Sequence, residues 1–107
     1  MPREGKVFSA TCLVTLALHG NSTLKGKRSV VNRLKSRIGN DFNVSVAEVG
    51  GLDRLQTALL GISAIGNDRV YLEGQMQLVV NLIERLGAAN IADVQTTIEV
   101  VGSHAFI

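Results

Sequence analysis

The chain has 107 residues, with 11 Lys and Arg against 9 Asp and Glu, for a net charge of +2. Hydrophobic residues make up 46%, which excludes a disordered tail, and a single Cys excludes a disulfide framework or a thiolate zinc cluster. There is no Trp, and Tyr71 and three Phe are the only aromatic rings, which argues against an aromatic stacking surface.

In chain order, residues 6–18 alternate. Phe8, Ala10, Cys12, Val14, Leu16 and Leu18 fall on one face, and the period of two predicts a long strand. A turn at His19-Gly20-Asn21 leads to the cap candidates Ser22 and Thr23. From Leu24 to Ile38 the apolar spacing turns helical, and Gly39-Asn40 is the expected stop. Phe42, Val44 and Val46 then predict a second strand. Gly50-Gly51-Leu52-Asp53 signals a hairpin, and residues 55–65 a third strand. Asn67 or Asp68 is placed to cap a second helix, with the stripe Leu72, Met76, Val79, Ile83 and Leu86 and a stop at Gly87. Ile91 to Val101 is the last strand, with Val94, Thr96, Ile98 and Val100 toward the core. Residues 102–107, which include His104, read as a loose tail to a single domain whose core spans about 6–101. The order β-α-β-β-α-β predicts a ferredoxin-like split β-α-β fold. It is an α+β domain with a four-stranded antiparallel sheet in the order 4-1-3-2 and both helices on one face.

The segment Thr23-Leu24-Lys25-Gly26-Lys27-Arg28-Ser29-Val30-Val31 resembles the S-L-K-x-K-R-x-V-V signature of the YlxP-like family of small bacterial proteins (domain of unknown function 503). Phe42 to Val49 is similar to its second signature and Asn67-Asp68-Arg69 to a third, so the resemblance spans about residues 6 to 101. It implies a ferredoxin-like fold and no established enzymatic activity. Its gene neighbours, translation-initiation and ribosome-maturation factors, imply an RNA or ribosome connection. The chain departs from the family pattern at Leu55, where many relatives carry Trp, and at Thr23, where Ser is usual.

Charge is distributed unevenly. Seven bases and no acid lie between Gly5 and Asn40, whereas eight acids and three bases follow from Asp41 onward. The free N–H groups and dipole of a helix start favour acids, yet Lys25, Lys27 and Arg28 crowd the first helix start. Each such cation costs about 0.3–1 kcal/mol unless an anion settles it. Lys27 also falls inside the apolar stripe, where a pair with Glu48 is the alternative to a ligand. With Arg33, Lys35 and Arg37, a broad basic helix suits a phosphate backbone. The expected site is therefore Ser22, Lys25, Lys27, Arg28, Arg33, Lys35 and Arg37, binding RNA or a ribosomal particle. The alternatives are an oligomeric small-anion regulatory module with a pocket at the same helix start and a protein-interaction module that uses the open sheet face.

No nucleophile–base set is visible, so no enzyme is expected, and neither a cofactor nor a metal is implied. His19 reads as a turn residue and Cys12 as an inert buried thiol. The P-loop pattern fails at Lys25 and Arg28. An RRM is excluded by the lack of rings on the central strands, and a KH domain by the missing GXXG loop. The outward sheet face, with Thr11, Leu13, Thr15, Thr57, Leu59 and Ser63, is small and nearly uncharged, which predicts self-association of copies through it. The start is no signal peptide and nothing spans a membrane, so a reducing cytoplasm is expected.

Overall fold

The computed structural model describes residues 3–106. Its elements are β1 (Arg3–Ala17), α1 (Leu24–Asp41), β2 (Ser45–Gly50), β3 (Thr57–Gly66), α2 (Arg69–Leu86) and β4 (Asn90–Phe106). The strands form one antiparallel sheet in the order β2-β3-β1-β4. The fold is the expected ferredoxin-like split β-α-β.

Alternation along β1 buries Ala10, Cys12, Val14 and Leu16, and β3 adds Ala58, Leu60 and Ile62. The helices close over these with Val31, Leu34 and Ile38 from α1 and Leu72, Met76, Val79 and Ile83 from α2. Burial of that apolar surface is the main stabilising term. Asp68 caps α2 by accepting from the Tyr71 N–H at 3.1 Å, and Gly87 ends it in the left-handed region at φ 63°.

The structure corrects several boundaries. Helix α1 runs through Gly39 and Asn40 to Asp41, because Gly39 keeps a negative φ. The Phe42 N–H closes the helix on the Ile38 carbonyl at 3.0 Å, and Arg37 pairs with Asp41 across the last turn at 3.2 Å. Phe42 and Val44 pack on the core before β2 begins at Ser45. Strand β3 starts at Thr57, since residues 51–56 belong to the connecting loop. The expected loose tail is also overturned. Strand β4 continues to Phe106 because β1 begins early enough to pair with it, from Arg3↔Phe106 to Val7↔Gly102. Ile107 lies outside the described residues.

The expected core face of β4 has the right side but not the burial. Val94, Thr96 and Ile98 pair with Val14, Cys12 and Ala10, so they face the helices. Only Ile98 is half-buried, while Val94 and Val100 are exposed by 38% and 51%. β4 is an edge strand, and two helices do not reach far enough to cover it.

Candidate functional site

Helix α1 starts one residue later than a Ser22 cap requires. Thr23 is the N-cap, and its hydroxyl accepts from the Gly26 N–H at 2.9 Å, which leaves Ser22 outside the helix. The first turn holds no acid.

Lys27 is the main correction to the expected site. Its side chain is 2% exposed, and Nζ lies 2.8 Å from Glu48 Oε2 on β2. Nζ also donates to the Gly51 carbonyl in the β2–β3 loop. Glu48 Oε2 is buried and takes no aligned hydrogen bond beyond this ion contact. The ammonium has found its anion within the chain, so Lys27 is withdrawn from the ligand-binding set. The apolar-stripe position that made Lys27 anomalous points it at the sheet, where only a partner makes burial tolerable.

A polar network surrounds this pair. Asn21 Nδ2 donates to the Thr23 carbonyl at 2.8 Å and to the Leu55 carbonyl at 2.5 Å. Gln56 Nε2 donates to the Asn21 carbonyl at 3.2 Å, and the Leu18 N–H to the Gln56 carbonyl at 2.9 Å. Together these bonds tie the end of β1, the start of α1 and the β2–β3 loop into one junction. Leu55 contributes through its backbone, so the departure from Trp leaves this bond intact. Asn21, Gly51 and Gln56 escape sequence reasoning because their partners lie 24 to 35 residues away.

The remaining bases divide. Arg37 is engaged with Asp41. Lys25, Arg28, Arg33 and Lys35 have no carboxylate within 4.0 Å among the described residues. Lys25, Arg28 and Arg33 are exposed and Lys35 is half-exposed. At 100° per residue they split around the buried stripe of Lys27, Val31, Leu34 and Ile38, with Lys25, Arg28 and Lys35 on one flank and Arg33 on the other.

A hollow of about 410 Å³ beside the β1–α1 turn is lined by His19, Gly20, Asn21, Val30 and residues 87–90, with none of the α1 bases. An apolar concavity of about 360 Å³ lies on the outer sheet face around Gly61. Cys12 is buried and accepts weakly from Thr96 Oγ1 at 3.5 Å. Among the described residues, no group of three or more His, Cys, Asp or Glu could hold a metal, and no helix is long and apolar enough to cross a membrane.

The three signature segments meet structural needs. Segment one provides Thr23, Gly26 and Lys27, and segment two provides Glu48. Segment three provides the Asp68 cap and Arg69, whose guanidinium lies 5.3 Å from the Phe8 ring centroid. Residues 10–96 match the family described as Protein of unknown function (DUF503). The chain belongs to this family. It is 37% identical over 67 residues to the uncharacterized protein YlxP of Bacillus subtilis (strain 168), covering 63% of this chain and 73% of that one. Among solved structures it is similar to the de novo designed protein Foldit4, with a TM-score of 0.51 and 13% identity over 85% of this chain and 96% of that one. It is also similar to 17% of the VAO-type flavoprotein MtVAO615 from Myceliophthora thermophila C1, with a TM-score of 0.52 and 14% identity over 92% of this chain. At these identities the likeness is one of fold alone.

Proposed function

We propose that this protein is a non-enzymatic, cytoplasmic RNA-binding module that holds phosphate backbone, as part of a ribosomal particle, against the outward face of α1. The observation that supports this reading is the set of four cations without a carboxylate partner among the described residues, Lys25, Arg28 and Lys35 on one flank of α1 and Arg33 on the other. From Lys25 to Lys35 the helix axis covers about 15 Å, long enough to follow a strand over several phosphates. Bases spread along a convex helix, none of them lining the hollow beside the β1–α1 turn, suit an extended polyanion better than a small ligand. Arg37 adds charge at the far end, partly offset by Asp41. Lys27 takes no part, since it is buried against Glu48.

The test is fluorescence anisotropy with a labelled ribosomal RNA hairpin. Four phosphate contacts predict a roughly 50- to 150-fold loss of affinity between about 50 and about 200 mM salt. The double variant Arg28→Glu/Arg33→Glu is expected to weaken binding by more than about tenfold and flatten the salt slope by about two. Binding that ignores salt, or survives both reversals, would remove the RNA reading.

A further inference from the structure

On the outer sheet face, Gly61 of β3 sits directly opposite Leu13 of β1. Gly61 lies on the floor of an open apolar concavity, and its own neighbours Val49 and Leu13 lean over it. A Cβ at Gly61 would meet Val49 Cγ1 at 3.1 Å and Leu13 Cδ2 at 3.8 Å. Val49 reaches this face at 53% exposure, and Ile65 further along β3 is 71% exposed. Leu13 and Leu59 stand half-exposed beside them, and Ser63 is on the rim.

We infer that a second copy of this chain covers the sheet, in an isologous back-to-back dimer in which each Leu13 packs on the partner's apolar patch around Gly61, formed by Val49, Leu13 and Leu59. The cross-strand pairing makes this fit self-complementary. A two-fold axis parallel to the strands, between β1 and β3, exchanges the Leu13 and Gly61 positions across the interface. The same axis lays β4, the only strand of this face with acids (Asp93 and Glu99), over the partner's β2, whose face positions Ser45, Ala47 and Val49 are neutral. No like charges oppose each other.

The area is sufficient. Three strands of about ten residues and β2 with six, at about 4.8 Å spacing and about 3.4 Å per residue, give roughly 590 Å² per copy, or roughly 1,200 Å² in all, at the lower end of specific interfaces. Residues 3–7 of β1 pair only with residues 102–106 of β4, so this ribbon runs past the third strand and lies beyond the shared face.

Light scattering of the full chain at tens of micromolar decides the matter. The expected mass is twice 11.4 kDa. Ser63→Lys alters only an exposed rim position and is expected to return the mass to a single chain, with the far-UV spectrum unchanged. Leu13→Ala removes apolar contact at the centre of the shared face and is expected to raise the dimer dissociation constant more than tenfold. Leu78→Lys, on the exposed face of α2, is expected to leave the dimer intact. A native mass of one chain would overturn the inference. So would a doubled mass that survives Ser63→Lys or is lost through Leu78→Lys.

Discussion

At Lys27 the competition between an external anion and an internal one is settled by reach. The ammonium is drawn under the β2–β3 loop, where Glu48 at 2.8 Å and the Gly51 carbonyl both hold it. Removing one member of such a pair leaves an uncompensated buried charge, whereas removing both leaves none. Lys27→Met is therefore expected to destabilise the fold by about 3 kcal/mol in urea titrations, and Lys27→Met/Glu48→Leu to recover most of it. If the double variant is as unstable as the single one, the pair is not what makes Lys27 necessary. The sequence showed that Lys27 lay in the apolar stripe and that Glu48 was within range. The choice between pairing and ligand required knowing that the loop closes over the ammonium.

At the scale of elements, α1 and α2 use glycine for different reasons. Ala normally stabilises a helix interior over Gly by about 1 kcal/mol. At Gly74 nothing lies within 4 Å of a new Cβ, so Gly74→Ala is expected to raise stability by up to about 1 kcal/mol. At Gly26 a Cβ would meet Asn21 Oδ1 at 2.4 Å and Thr23 Oγ1 at 3.0 Å. Asn21 is pinned by its bonds to Thr23 and Leu55, so it must release them to make room. Gly26→Ala is expected to lower stability by about 1–2 kcal/mol, the worth of those bonds less the helix gain. The effect should vanish in an Asn21→Ala background. Thermal melts of these four variants against the parent chain check the sign at each site. The helices themselves were legible because their stripes have period 3.6. Their ends were less so, since Gly39 continues α1 while Gly87 stops α2, and only the local φ distinguishes the two.

For the whole molecule, the helices and the outer sheet face point in opposite directions. A dimer through the sheets would leave both α1 faces outward, one on each side. Two linked sites bind a particle offering two phosphate tracts more tightly than one site does. Ser63→Lys is accordingly expected to leave affinity for a short RNA hairpin unchanged while reducing retention on a long RNA or particle by about 10- to 100-fold. Equal losses on both probes would show that the rim substitution disturbs the RNA face itself.

The sequence by itself determined the order of elements, the strand order and the faces of β1, β3 and both helices. These follow from periodicity and chirality, which are local properties of the chain. It also determined which helix carries the positive charge. Only the tertiary structure decided which of those cations remain free, because neutralisation depends on groups brought together from 20 or more residues apart, as with Lys27 and Glu48. It likewise decided that β4 continues to Phe106 and stays largely uncovered, since an edge strand is buried only as far as its neighbours extend.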